Sequence, residues 1–548
     1  MSNTNSSTKL ELPDLLGRGY FPDELPPPFT TKSFAGKVTK KGVKLPIEFT
    51  KKKGKWCEYT PYSLARPGAL RRRLGILNPL AFYRLSKEVV TSQKVLFKKA
   101  ESCVVALSKP RVSTTKLRAI LTSNTLSDLP IARAKSRVGK LFALHTDISR
   151  FYPSIYTHSL DWAITGKVKA KSTFGRGVNR LGTRIDAHVQ AAQNGQTRGL
   201  PIGPDTSLLL AHVLLAPVDK ILKKKGITHG FRFMDDYELV FKTRAEADAA
   251  LAALEEALSE YELELNTHKT SIHELPLELD SPAIVELRNH PLESYNPSHS
   301  ELLSFFNKAF LLAKETPNKP ILQFAIGRIN NLDEIPTDRE LTQDLVLQCA
   351  TIEPGTWRRA VRILQRLHAS APLSTKPIQR VIEVTIQQQA PRQHSSEVAW
   401  ALWATLVFKI DLSIKEIKAV IKMRDDVCSL LLLHAEQEGL AQFDGWCIKH
   451  IVEPASASEL YGEHWLFSYE AVKKKWITPK SGNYLTSDPV FGFMENQDIN
   501  FYDDSILAEA RDFKASDEAE DEAFSYATHG TNDGRLDLFD DYDDEPDF

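Results

Sequence analysis

The chain has 548 residues, more than one ordinary hydrophobic core organises, so its length indicates two to four domains. Hydrophobic residues make up 42% and charged residues 26%, which excludes wholesale disorder, and the longest apolar runs, such as Leu430–Leu433, are far too short to span a membrane. The formal net charge of zero conceals an asymmetry: Lys32–Arg73 carries nine Lys and four Arg against two Glu (+11), Phe501–Phe548 carries seventeen acids against three bases (−14), and residues 1–500 therefore hold +14.

A basic body with an acidic end points to a polyanionic partner, although a solvated lysine-rich loop and a solubilising tail would give the same charges. The five cysteines are scattered without a C-x-x-C pair, so neither a disulfide framework nor a zinc-finger spacing is present. Met1–Leu10 is polar and lacks a hydrophobic signal core. A cytoplasmic protein without membrane association is expected.

In chain order, residues 1–30 are polar and then proline-rich (Pro22, Pro26, Pro27, Pro28) and are expected to form a flexible N-terminal segment. Residues 31–290 read as an α+β domain. Helical stretches at Leu80–Ala100, Ser207–Lys225 and Arg244–Tyr261 separate β-like runs at Leu141–Asp147, Gly230–Met234 and Glu238–Lys242. Over residues 291–496 the strand signal disappears. Seven segments of helical length follow: Glu301–Lys314, Glu340–Thr351, Trp357–Ala369, Ile378–Gln389, Ser396–Ile410, Ile414–Met423 and Val427–Gly439. Their similar lengths suggest stacked HEAT-like hairpins, with an irregular bundle as the alternative because no clean period is visible. Residues 497–548 are expected to be a disordered acidic tail.

The chemistry concentrates in two places. The run Leu144-His145-Thr146-Asp147 ends in a carboxylate and is followed by Phe151 and Tyr152. Near residue 235, the run Gly230-Phe231-Arg232-Phe233 and the run beginning Tyr237-Glu238 flank Asp235-Asp236, the signature of a hairpin with carboxylates at its turn. Adjacent like charges call for compensation, and hard oxygen ligands suit Mg²⁺. Asp147 would supply the third carboxylate of a two-metal site. An Asp-Asp turn alone is common at exposed hairpins. Its weight comes from the pieces around it: a Gly/Pro loop, Arg198-Gly199-Leu200-Pro201-Ile202-Gly203-Pro204, between the two sites, and Leu265-Asn266-Thr267-His268-Lys269-Thr270 after the second.

In that order the pieces resemble the palm of the reverse transcriptase family. Asp147 with Tyr152 is similar to motif A, Arg198–Pro204 to motif B, Phe233-Met234-Asp235-Asp236 to motif C and Leu265–Thr270 to motif D. Upstream, Arg71-Arg72-Arg73-Leu74-Gly75 resembles the basic fingers strand. Arg198 stands where many relatives have Gln, and Phe233 where Tyr is usual. Tyr156-Thr157-His158-Ser159, Trp162 and Gln196–Ser207 resemble the bacterial abortive-infection and defence-associated members of the family, whose helical C-terminal region Ser396–Trp403 and Glu463–Glu470 also resemble. The resemblance implies reverse-transcriptase fingers and palm, an all-α HEAT-like domain and an acidic tail.

It further implies a metal-dependent nucleotidyltransferase that makes DNA in antiphage defence. Asp147 and Asp235 would be the principal ligands of two Mg²⁺ ions, with Mn²⁺ an alternative. Asp236 would assist, and the Ile148 carbonyl would be a ligand of the nucleotide metal. Lys269 would protonate the leaving pyrophosphate. Arg71, Arg72 and Arg73 would grip the triphosphate, and Tyr152, Gly199 and Pro201 would line the nucleotide site, with Tyr152 excluding a 2′-OH. Trp400 and Trp403, three apart on one helix, read as core. The expected partners are deoxynucleoside triphosphates, a DNA product and further copies of the chain. In the related enzymes a protein hydroxyl primes synthesis and the DNA stays covalently attached. A conventional enzyme with an RNA template and a nucleic-acid primer is one alternative, and a catalytically idle binding scaffold is another.

Overall fold

The structure, a computed structural model, describes residues 9–511 except 52–53, 69–70, 114–117, 174–178, 293–294, 335 and 480–481. The tail expected beyond Arg511 lies outside the described residues. In chain order the principal elements begin with α1 (Leu12–Arg18), the hairpin β1 (Thr60–Ala65) and β2 (Arg71–Ile76), and helices α2 (Pro79–Thr91) and α3 (Gln93–Glu101). A short hairpin, β3 (Pro110–Val112) and β4 (Ile120–Thr122), precedes α4 (Leu129–Ser136) and β5 (Phe142–Thr146). The chain continues through α5 (Leu181–Ala191), α6 (Asp205–Lys224), β6 (Gly230–Phe233), β7 (Asp236–Phe241), α7 (Arg244–Ser259) and β8 (Ser271–Glu274). Beyond residue 282 the described regular elements are helical. Among the described residues no helix is long and apolar enough to cross a membrane.

The three β-like runs, joined by Ser271–Glu274, form one four-stranded antiparallel sheet in the order β6-β7-β5-β8. His145 lies opposite Glu238 and Ser271, Thr146 opposite Tyr237, and Phe233 opposite Asp236. Because side chains alternate, Leu144, Tyr237 and Leu239 share one face, buried at 0–2% exposure, and α7 packs on β5 and β7 there. The other face carries His145, Glu238, Phe231 and Phe233, and α4 packs on β6. The outer edge of β6 is not open. Arg232 N–H donates to the Val105 carbonyl, and the Leu107 N–H donates to the Arg232 carbonyl, both at 2.8 Å. Covering an edge in this way removes a site of unwanted strand pairing.

The β1–β2 hairpin is built into the C-terminal helices. Ser63 N–H donates to Ser395 Oγ (3.1 Å) and Ala65 N–H to Ser396 Oγ (2.9 Å), so hydroxyls at the start of α8 (Ser395–Phe408) satisfy the free edge of β1. Thr60 Oγ1 donates to Asp426 Oδ2 (3.2 Å), and Trp465 Nε1 donates to the Ile76 carbonyl (3.0 Å). One continuous hydrophobic core therefore runs through both halves. The expected helices appear as His299–Glu315, Arg339–Ile352, Trp357–Ser370, Thr375–Gln389, α8, Ile414–Met423 and Asp426–Gln437; Ile321–Asn330, Gly445–Ile451 and Trp465–Lys473 add to them. Trp400 and Trp403 are buried, as their spacing on one helix predicts.

Two expectations need correction. Residues 9–30 are not a flexible segment: Leu10, Leu15, Leu16 and Tyr20 are fully buried, and Tyr20 stacks on Phe82 with ring centroids 4.0 Å apart. Proline here fixes the turns of a packed strap, whose apolar residues outweigh its polar flanks. At the other end, order continues past residue 497. Ile499, Phe501 and Tyr502 are fully buried, and Thr30 N–H donates to the Phe501 carbonyl (3.0 Å).

That return is held by Glu470, whose Oε1 accepts the Phe501 N–H at 2.6 Å. Burial pushes its carboxyl up from 4.5 to about 7. A group with a raised folded pKa contributes stability that is complete below its unfolded pKa and is lost as pH rises through the folded one. Glu470→Gln should therefore gain in thermal midpoint relative to wild type as pH rises from about 4.5 to about 7, and keep that gain above it. Melting curves of both proteins across that range check this, and a constant gap would contradict it.

Candidate active site

Asp147 follows the last residue of β5 and is 8% exposed. Continuing the register by one residue from Thr146 opposite Tyr237 sets Asp147 opposite Asp236 on the neighbouring strand. Asp235 sits in the two-residue turn between β6 and β7, after Met234. Met234 has φ +55°, a conformation that costs a non-glycine residue about 1–3 kcal/mol and persists only when its surroundings hold it. They do so from both sides. Met234 N–H donates to Ser108 Oγ (2.7 Å), and its carbonyl accepts from the Arg232 guanidinium.

Arg232 in turn is anchored from below. Its side chain and that of Asp219 on α6 are both fully buried, with Nη2 to Oδ2 at 2.8 Å and Nε to Oδ1 at 3.2 Å. Tyr237 Oη adds a bond to Asp219 Oδ1 at 3.2 Å. Asp219 and its neighbours hold the guanidinium charged and well above the ordinary arginine range, against the opposing effect of burial. Helix α6 thus reaches the aspartate turn through one carboxylate and one guanidinium.

The segment after α7 closes the site on the other side. Ser149 N–H donates to the Glu264 carbonyl (2.9 Å) and Asn266 N–H to the Asp147 carbonyl (2.8 Å), and Ile148 bridges Leu265 between them. Asn266 Oδ1 accepts the His268 N–H (3.1 Å) and so caps the turn that presents Lys269. Lys269 Nζ lies 3.2 Å from Asp147 Oδ2, both side chains being largely buried. The resemblance-derived residues Asp147, Ile148, Asp235, Asp236 and Lys269 are therefore brought together.

The Gly/Pro loop runs between motif A and the fingers strand. Gly199 has φ +95°, and its N–H donates to the Ile155 carbonyl (2.8 Å). Leu200 N–H donates to the Tyr152 carbonyl (2.9 Å), which fixes half-buried Tyr152 against the loop. Gly75 N–H donates to the Ile202 carbonyl (2.9 Å), and a Cβ on Gly75 would come within 3.1 Å of Pro201 Cβ and 2.9 Å of the Tyr59 ring. Only a residue without a side chain lets these strands meet.

The three fingers arginines separate. Arg71 is bidentate with Glu397 on α8 and also donates to Ser63 Oγ (3.0 Å) and the Ser63 carbonyl (2.7 Å). It ties the hairpin to the helices, which corrects its expected role in gripping a triphosphate. Arg72 is half-buried, and Arg73 is exposed beside the Tyr59 ring.

A cavity beneath the carboxylates is lined by Arg133, His145, Asp147, Phe233, Asp236 and Lys269, among others. At its floor Glu238 accepts from Arg133 Nε (2.8 Å) and Arg137 Nη2 (2.8 Å), pinning α4 to the sheet. Burial pushes His145 down to about 4, so its imidazole is neutral near pH 7. Sequence reasoning missed Arg133, Arg137, Asp219 and Arg232. A charge inside the apolar run Gly230–Phe233 was the available signal for Arg232, since such a residue is buried only with a partner.

Hard carboxylate oxygens at adjacent strand ends are the donor set that Mg²⁺ selects, and in this arrangement Asp147 has Lys269 as counter-cation. Among the described residues no three carboxylate, thiol or imidazole groups are gathered as a ready metal cage. The carboxylates fit the ion by chemistry, with Asp235 on the turn, Asp236 at the start of β7 and Asp147 just past the end of β5.

Removing one partner of the buried pair leaves the other charge stranded, at a cost of about 3–5 kcal/mol. Asp219→Ala should lower stability by about that amount in urea denaturation, because Arg232 keeps its charge. An unchanged midpoint would show that the pair does not brace the turn.

Residues 87–295 match the reverse transcriptase (RNA-dependent DNA polymerase) family. No curated protein matches the sequence. Among solved structures, apo telomerase from Candida tropicalis aligns with a TM-score of 0.31 and 10% identity, over 65% of this chain and 66% of that one. The matched residues contain β5–β8, Asp147, the Asp235-Asp236 turn and Lys269, and this part of the chain is a reverse transcriptase domain.

Proposed function

We propose that the chain is a metal-dependent DNA polymerase of the reverse transcriptase type that acts in antiphage defence and primes synthesis from a hydroxyl of its own. The observation that supports catalysis best is the convergence of Asp147, Asp236 and Lys269 on one cavity, beside a turn that presents Asp235. Bound Mg²⁺ would supply the electrostatic stabilisation that brings an attacking hydroxyl to the nucleotide α-phosphate and offsets charge on the departing pyrophosphate. Asp147 and Asp235 would hold the metal ions, Asp236 would assist, and the Ile148 carbonyl would be a further ligand. Lys269 balances Asp147 and is the proton donor to the leaving group. Arg72 and Arg73 take the triphosphate, since Arg71 is bound to Glu397. Tyr152 stands under the sugar and excludes a 2′-OH, with Gly199 and Pro201 shaping the loop above it.

The defence role rests on the resemblance of Tyr156–Ser159 and Gln196–Ser207 to abortive-infection enzymes. The helices beyond residue 295 are read as an irregular HEAT-like stack that carries product or contacts between copies of the chain. The matched family's description favours an RNA template, and RNA-templated synthesis from a nucleic-acid primer is the second reading.

Purified protein with Mg²⁺ and each labelled nucleotide in turn, with and without added RNA, tests the proposal. Product that migrates with the protein until protease releases it is expected; free DNA unchanged by protease would leave the second reading. Asp147→Ala and Asp235→Ala should each abolish incorporation with the circular-dichroism spectrum unchanged, and near-normal incorporation by either would remove the catalytic assignment. Tyr152→Val should admit ribonucleotides, and unaltered deoxy-over-ribo selectivity would make Tyr152 a packing residue.

A further inference from the structure

Trp56 is 64% exposed, which is unusual for a ring that dominates cores wherever it can be buried. It is also held in place. The next residue, Cys57, donates its N–H to the Ala191 carbonyl (2.8 Å) and accepts at its carbonyl from Asn194 N–H (2.7 Å). Asn194 Nδ2 further donates to Glu58 Oε1 (2.7 Å). The segment is thereby fastened along the turn that leaves α5.

One face of the indole is seated on Gly195. That residue has φ +76°, and a Cβ there would lie 3.2 Å from each of Cδ2, Cε2 and Cε3 of Trp56. Equal distances to three ring atoms mean that the ring lies flat over the glycine backbone, so its exposure belongs mainly to the opposite face. The same loop continues through exposed Gln196, Thr197 and Arg198 to Gly199. Arg198 is three residues from Gly195, within about 11 Å of it along even a fully extended chain. Lys51 and Lys55, in the segment that carries Trp56, are exposed as well, Lys51 Nζ pairing with Glu48 Oε1 (2.9 Å) and Lys55 Nζ lying over the Tyr461 ring.

A rigid aromatic face, cations beside it and a loop leading to the aspartates form the combination that binds single-stranded nucleic acid by stacking a base and attracting its backbone. We infer that Trp56 is a stacking platform for an unpaired base of a nucleic-acid strand that passes the Gly195–Gly199 loop. Seating on Gly195 explains both the glycine and the exposure: a side chain at 195 would lift the ring, and a covered ring could not receive a base. The inference deepens the polymerase reading and takes its strand from it.

The test is fluorescence anisotropy of the full chain with labelled oligo(dT) and oligo(U) of equal length, without nucleotide or divalent ion. Trp56→Ala should weaken binding of the strand that uses the platform by about 5- to 100-fold, whereas Trp56→Phe should stay within about 3-fold of wild type. The salt dependence should keep its slope, because no phosphate contact is removed. Loss with RNA alone would mark a template strand, and loss with DNA a product or primer strand. Equal affinities of Trp56→Ala and wild type for both strands would overturn the inference whatever the polymerase assay shows, and an accompanying fall in oligomer mass would assign the ring to a protein contact. Weakened binding by Trp56→Ala, together with no nucleotide incorporation by the wild-type chain, would instead overturn the polymerase reading and leave the platform standing.

Discussion

A guanidinium with no solvent exposure is stable only where its charge and hydrogen bonds are met, and Arg232 meets this condition through Asp219 and the Met234 carbonyl, while its backbone N–H and carbonyl pair with residues 105–107. Each partner belongs to a different piece of the chain: the long helix α6, the aspartate turn and the segment after α3. The pair contributes less to net stability than to position, because desolvating two charges offsets much of their attraction. Its consequence is geometric. Met234 is kept in a left-handed conformation, and Asp235 is therefore held at the tip of the hairpin while Asp236 starts β7 in register with Asp147.

Around that fixed point the neighbouring segments are tied by hydrogen bonds. Lys269 is presented by a capped turn whose backbone pairs with residues 147–149, so its ammonium and the Asp147 carboxylate are fixed to the same sheet. The fingers hairpin is tied to the C-terminal helices by Arg71–Glu397, by the Ser395 and Ser396 hydroxyls, and by Trp465. Burial of the aromatic cluster around Phe501 then links the N-terminal strap, the hairpin's support and the last described segment into one core. Opening the hairpin would break several hydrogen bonds at once, which makes the helices part of one frame with it rather than an appendage.

Much of this was legible. The β-like runs matched three of the four sheet strands, and the order of the motifs pointed to Asp147, Asp236 and Lys269, which the fold sets around one cavity. Helices were legible where breakers bounded them, as at Ile414–Met423. Illegible features share one cause: they depend on partners that no local pattern names. Arg71 and Arg73 alternate onto one face of β2, yet only the fold brings Glu397, 326 residues later, to Arg71. Arg232 looks like an error in an apolar strand until Asp219 arrives from the helix before it. The first thirty residues look flexible by composition, because polarity was averaged over a strap whose few apolar side chains carry its packing.

The central claim is that Asp147 and Asp235 act as one metal site. Electron paramagnetic resonance of free Mn²⁺ titrated with the full chain measures this without any turnover. The account predicts that wild-type protein removes free Mn²⁺ saturably in the presence of a deoxynucleoside triphosphate beyond what the nucleotide alone removes, and that Asp147→Asn and Asp235→Asn each lose that excess. Equal Mn²⁺ uptake by wild type and both variants would contradict it.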